Sequence, residues 1–397
     1  MRNPPAMVHT GTAGLRGLAW DHPRVYAPLE ELARLDASLP AGCETVGLPL
    51  RWERKPAAAF ESMPVSGYAD DYDILVVAHP GLGSAVESGS LMPMEALFTP
   101  AELSSWQRRS VGASYESYRL DGRTWALPLD AATQLAALRP DLVDRRHPPR
   151  TWDEVCALAQ QVPVALCLGG PHAFLTLCAL SLAQGEEPMR EDPGPVVGRS
   201  TGLAALDMMA GLRSSTPPSL RTADPSGVLR AMAHGTGPAY CPLVYGDAAC
   251  TWSGAYPLAF SRPPGWRPGG PAGSVLGGAG LAVSAGRVRD AGTRAAVRDH
   301  LRRLLSDPVQ RELLPMTGGQ PAARSAWTGR SGDRHWRDFS RDTLNTVEDA
   351  WLRPRRPGFL AFQEHASELL RDGLEASTPH PALLDALDTW YRRGSWR

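Results

Sequence analysis

The sequence predicts an α/β fold of two lobes with a polar cleft between them, and three observations carry that expectation. The first is length: 397 residues exceed one ordinary core and suit two. The second is a repeated pattern in which an apolar run ends abruptly in polar groups. Leu15 to Trp20 runs into Asp21, His22, Pro23 and Arg24, and Asp73 to Ala78 runs into His79, Pro80 and Gly81. The third is the alternation of strand-like and helix-like segments, the signature of parallel βαβ units. In open α/β sheets, ligands sit beyond the carboxyl ends of the strands. If the two runs are parallel neighbours, His22 and His79 emerge at one rim.

Composition narrows the function classes. A net charge of −1 gives no reason to expect nucleic acid or an anionic membrane surface as a partner. No window approaches ~20 uninterrupted apolar residues, so membrane insertion is not expected. The first fourteen residues hold no apolar segment behind a basic start, so a cytoplasmic location is expected as written, or a periplasmic or extracellular one if the true start lies upstream. Lys55 is the only lysine among 41 basic residues, so a lone arginine carries less functional weight than usual. Cys43, Cys156, Cys167, Cys178, Cys241 and Cys250 lack C-x-x-C spacing and clustered histidines, so no metal site is expected.

In order, the strand at Leu15 to Trp20 precedes a helix at Pro28 to Leu35, whose apolar residues recur at i, i+3 and i+6. Gly47 to Arg54 alternates as a strand with Leu48, Leu50 and Trp52 on one face, and a helix is expected near Ala101 to Val111. Asp121-Gly122 signals a hairpin, and Trp125 to Asp130 is the expected crossover between lobes. Thr151 and Glu154 form a capping box for a helix reaching about Gln161. Val162 to Leu168 reads as a strand, and His172 to Gln184, Thr201 to Leu212 and Ser226 to His234 as helices. Ala239 to Tyr245 reads as a strand. Pro263 to Gly278, with four prolines and six glycines, is expected to be irregular before a strand at Leu281 to Ser284. Ala291 to Leu305, Arg341 to Trp351, Leu360 to Arg371 and Pro381 to Tyr391 read as helices. No repeat or sustained heptad is present.

Several of these segments together resemble the extracellular solute-binding proteins of ABC importers, family 1. They are Trp20 to Arg24, Asp73 to Gly81, Asp121-Gly122 through Leu127 to Thr133, Arg139 to Leu142, Pro149 to Glu154, Gly277 to Ser284 and Gly318 to Pro321. The order of all of them, rather than any single motif, makes the likeness. It implies the two-lobed type II periplasmic-binding-protein fold, with lobe one from residues 1–120 and 256–318 and lobe two from 121–255 and 319–397. It further implies a small-molecule ligand in the cleft, often a sugar or another polar metabolite, and an ABC permease as partner if the chain is secreted. The absence of a leader or lipobox cysteine points to a signal-peptide-less branch.

The residues themselves offer two classes of function. For binding, Asp130 ends an apolar strand and is followed by small residues, so it can accept ligand hydroxyls; Thr133 adds a neutral hydrogen bond. Arg24 can clamp a carboxylate or phosphate with its planar fork. Trp20 and Tyr245 offer flat faces, as do Trp125 and Trp252. Asp247 and Gly278 stand beside candidate strand ends, and Glu53 completes the polar set. For catalysis, Asp21, His22 and His79, with Glu53 and Asp130, hold the ingredients of acid–base chemistry, suited to proton abstraction, dehydration or isomerisation. No nucleophile elbow, P-loop or H-E-x-x-H is present, and no cofactor is expected.

Overall fold

The structure, a computed structural model, describes residues 14–38, 47–56, 64–191, 194–329 and 332–394. The initial segment 1–13 and Cys43 lie outside the described residues. Strand β1 (Leu15–Trp20) feeds helix α1 (Pro23–Ala37) and pairs in parallel with β2 (Leu50–Lys55) and β3 (Ile74–Val77). Their parallel pairing puts the ends of β1 and β3 at one rim. After α2 (Leu82–Glu87) and α3 (Pro100–Arg109), the short strands β4 (Arg119–Leu120) and β5 (Arg123–Thr124) form the expected hairpin. Its corner residues Asp121 and Gly122 both take positive φ, 51° and 75°, as a primed turn requires.

Strand β6 (Ala126–Leu138) is buried along its whole length. Helices α4 (Trp152–Leu158), α5 (His172–Ala183), α6 (Arg199–Ser215) and α7 (Pro225–Ala233) follow, then β7 (Tyr240–Tyr245), β8 (Ala259–Ser261) and β9 (Leu276–Val283). The chain ends in α8 (Ala291–Leu304), α9 (Arg324–Thr328), α10 (Arg334–Glu348), α11 (Phe359–Glu375) and α12 (His380–Arg393). The strand order is β2-β1-β3-β9-β6-β7, with β8 also on β6. Residues Ala126 to Thr133 of β6 pair with β9, and Gln134 to Leu138 pair with β7. The other end of β9 pairs with β3. Thus β6 and β9 carry the backbone from one lobe to the other.

Burial of apolar surface divides the same way. One cluster gathers Leu18, Ile74, Leu127, Leu129, Leu281 and Val297. A second packs α5 and α6 against α11 and α12, with Phe174 and Phe362 edge to face at 5.4 Å. A third joins Leu135, Val244 and Phe260 to Trp327 and Trp336. The change of cluster falls inside β6, near Asp130, and at the start of β9. A helix sealed between a sheet and other helices is apolar all round, and α5 shows this.

Three expectations need correction. Val162 to Leu168, buried from Val164 onward, makes only a single bridge, Val164 to Tyr240, instead of a strand. Pro163 has no N–H to donate, and the Leu166 N–H goes to Thr216 Oγ1. The last residues of the Pro263 to Gly278 stretch are regular: Leu276, Gly277 and Gly278 belong to β9. Thr151 caps α4, but Glu154 accepts from the Arg150 N–H at 2.6 Å rather than closing the box on Thr151. No helix among the described residues is long and apolar enough to cross a membrane.

Candidate ligand-binding cleft

A cavity of about 340 Å³ lies between the lobes. From the first lobe, the end of β1 and the start of α1 supply Trp20, His22 and Arg24, and the turn after β3 supplies Ala78 and Pro80. From the second lobe come His172 at the start of α5, Asp224 and Ser226 at the start of α7, Tyr245 at the end of β7 and Asp247 just after it. Arg353 and Gln363, hydrogen-bonded to each other, also line it, and Gly277 and Gly278 of β9 contribute backbone.

The two glycines are there because side chains would not fit. A Cβ on Gly277 would lie 2.5 Å from the Tyr245 ring, and one on Gly278 would lie 2.4 Å from the Asp130 carbonyl oxygen. Their absence lets the Tyr245 ring lie against β9, where its hydroxyl donates to the Leu276 carbonyl at 3.5 Å. The His172 ring meets Tyr245 edge to face at 5.6 Å.

Arg24 and Asp130 form the buried charge pair beneath the cleft. Arg24 Nε stands 3.1 Å from Asp130 Oδ2, while Nη1 donates to the Gly246 carbonyl at 3.2 Å, so one side chain joins α1 to the central strand and to the opposite lobe. Burial pushes the Asp130 carboxyl up to about 6, against the pull of Arg24. The carboxylate therefore sits below the cavity and acts through Arg24 rather than lining the cavity wall.

His22 caps α1: its Nδ1 accepts from the Arg24 N–H at 3.2 Å. With Nδ1 so engaged, the proton belongs on Nε2, which faces Asp247 Oδ2 at 3.9 Å across the cleft. Burial, and then the Arg24 charge, push His22 down to about 4, so the ring is neutral near pH 7. Burial and Arg353 likewise hold His172 at about 3.

The cavity therefore gathers Trp20, His22, Arg24, Tyr245, Asp247 and Gly278 from the sequence-derived set, with Asp130 directly behind Arg24. The others lie elsewhere. Glu53 is half exposed on β2, accepting from Arg16 and from the Tyr72 hydroxyl, because strand alternation turns it away from Trp52. Asp21 is exposed and pairs with Arg54 at 3.7 Å. Thr133 is buried, donating to the Val275 carbonyl and hydrogen-bonded to the Ser274 hydroxyl. His79 is fully buried edge-on to Tyr118, and neither ring nitrogen has a hydrogen-bond partner. Burial, with Arg353 and Arg355, keeps it well below its usual range. Trp125 and Trp252 do not line the cavity. The acid–base groups Asp21, His22, His79, Glu53 and Asp130 thus share no common cavity.

Sequence reasoning missed His172, Asp224, Ser226, Arg353 and Gln363, which come from helix starts and connecting segments rather than strand ends. The capping pattern Asp224-Pro225, with Asp224 accepting from the Gly227 N–H at 2.7 Å, was the one local signal available. Among the described residues, no group of three or more His, Cys, Asp or Glu side chains is placed to hold a metal ion.

Residues 56–331 match a family model described as bacterial extracellular solute-binding protein. Among solved structures, an ABC transporter solute-binding protein from Agrobacterium radiobacter K84 in complex with ribitol is similar over 96% of this chain and 98% of its own, at 18% identity and a TM-score of 0.78. One from Agrobacterium vitis S4 with bound D-mannitol is similar over 96% and 98%, at 15% identity and a TM-score of 0.72. The sugar-binding protein MalE from Xanthomonas citri covers 97% and 98%, at 17% identity and a TM-score of 0.71. No match is found among curated proteins. At these identities the likeness bears on the fold, which is the two-lobed periplasmic-binding-protein fold.

Proposed function

The chain belongs to the bacterial extracellular solute-binding protein family, and from that premise we propose that it holds one small polar, sugar-like solute between its lobes. The observation that carries this reading is the make-up of the 340 Å³ cavity, lined from both lobes by the flat side chains of Trp20 and Tyr245 and by hydrogen-bonding groups beside them. Ligand pockets run from about 300 to 1,000 Å³, so this one suits a monosaccharide or polyol rather than a long chain. Aromatic rings cover the apolar face of a sugar, while carboxylates, amides and neutral imidazoles meet its hydroxyls. Bound ribitol and D-mannitol in two structures of the same fold are consistent with that size and chemistry. An ABC permease is the partner this reading implies.

Isothermal titration with a panel of neutral hexoses and pentitols tests it, with the solute recovered afterwards and identified. At least one member should bind saturably and return unchanged. Trp20→Ala should weaken that member by about 10-fold or more, the loss of one stacked aromatic face. Glu53→Ala should leave affinity within about 2-fold, since that carboxylate sits on the outer face of β2. Converted solute, or equal damage from the two substitutions, would sink the reading.

A further inference from the structure

Arg353 is 8% exposed and lines the cleft. Its Nη1 donates to Gln363 Oε1 at 2.8 Å and its Nη2 to the Leu276 carbonyl at 3.3 Å, both neutral acceptors. Its Nε is buried without a hydrogen-bond partner, and among the described residues no carboxylate forms an ion pair with it. The other cleft cation, Arg24, is matched by Asp130. The two remaining cleft carboxylates are committed elsewhere. Asp224 caps α7, and Asp247 accepts from the Ala249 N–H at 3.0 Å while facing His22.

The cleft therefore holds one guanidinium with no ion-pair partner, Arg353, beside His172 and Gln363, while its carboxylates Asp224 and Asp247 stand near His22 with the matched Arg24. A buried cation without a counter-charge is costly, and a planar guanidinium with a free Nε is shaped for a carboxylate. His172 beside it is neutral and adds no competing charge. Resting on the cleft reading above, we propose that Arg353 receives a carboxylate of the bound solute. The preferred ligands are then monosaccharides or polyols bearing a single acid group, with their hydroxyls directed toward Asp247 and Trp20. A second acid would find no other unmatched cation among the lining residues and would face Asp224 and Asp247, so diacids are disfavoured.

Titrations of matched pairs test this on the unmodified chain: glucose with glucuronate, galactose with galacturonate, glucitol with gluconate. The acid of a pair should bind about 10- to 100-fold tighter than its neutral partner, the worth of a charge-assisted hydrogen bond. Glucarate should bind more weakly than gluconate, and glucose 6-phosphate more weakly than glucuronate. In Arg353→Met the acid and neutral members should converge to within about 3-fold, while Arg353→Lys keeps part of the preference. If that methionine variant does not fold, the unmodified chain still decides, because its acid preference needs no variant. Neutral members binding as well as acids would overturn this proposal and leave the cleft reading standing. A preference that survives in Arg353→Met, or tighter binding of the phosphate, would also overturn it. No saturable binding by any member would remove both.

Discussion

Replacing Arg24 with alanine is expected to lower the free energy of unfolding by about 3 kcal/mol near pH 7.5, and by clearly less near pH 5. Asp130 is 2% exposed and has the Arg24 guanidinium 3.1 Å from its Oδ2. Removing the guanidinium leaves a buried carboxylate uncompensated and also deletes the bond to the Gly246 carbonyl. In the intact protein burial has already raised the Asp130 carboxyl to about 6. A raised native value means that the native state holds the proton more tightly than the unfolded chain does. The stabilisation from this group is therefore complete below the unfolded value near 4, and is lost as pH rises through about 6, on the order of 3 kcal/mol in all. Without Arg24 the carboxyl should rise further and the loss should extend to higher pH. Acidification protonates Asp130 in both proteins and removes most of the difference. Urea unfolding at the two pH values measures this, and a deficit that stays constant or grows at the lower pH would refute the account.

Gly278→Ala is expected to cost about 3 kcal/mol or more and to abolish measurable solute binding. Gly278 has φ +111°, a region that L side chains rarely adopt, and its added Cβ would press on the Asp130 carbonyl and the Ala131 Cα. Both contacts are backbone in β6, so no flexible tip can swing away, and any accommodation would displace the strand that carries Asp130. Gly211→Ala supplies the contrast. It sits in α6 with open space around its Cβ, and should stabilise by roughly 0.5–1 kcal/mol through helix propensity and lost unfolded-chain freedom. Thermal unfolding of the pair would separate the signs; a Gly278→Ala protein as stable as the parent would show that β9 tolerates a side chain there.

What was legible in the sequence followed from backbone periodicity. The runs at Leu15 to Trp20 and Asp73 to Ala78 have the strand pattern, and parallel pairing delivered Trp20, His22 and Arg24 to the rim together. Asp121-Gly122 announced its own turn. Asp130 stood out as a carboxylate ending an apolar run, although its burial against Arg24 depends on packing that no local pattern shows. The less legible residues come from places where a side chain's direction is set by tertiary contacts. Arg353 sits in a segment with Arg355 and Arg356, in a chain where 41 basic residues dilute the weight of each. His172 looks like the first residue of an apolar helix, and only the facing Tyr245 puts it in the cleft. Glu53 alternates out of phase with Leu50 and Trp52 on β2, so the strand period by itself turns it outward. His79 shares the strand-end pattern of His22, yet the turn after β3 folds it inward against Tyr118.

The 13-residue strand Ala126 to Leu138 runs through both halves of the seven-stranded sheet, pairing with β9 along its first part and with β7 along its last. Neither half can be detached by cutting there without leaving a raw, unpaired margin prone to sticking to other chains. On the proposed reading, swapping rim residues such as Trp20 or Tyr245 would retune selectivity while leaving that ribbon untouched, whereas grafting an entire half from a distant relative would require rebuilding it as well.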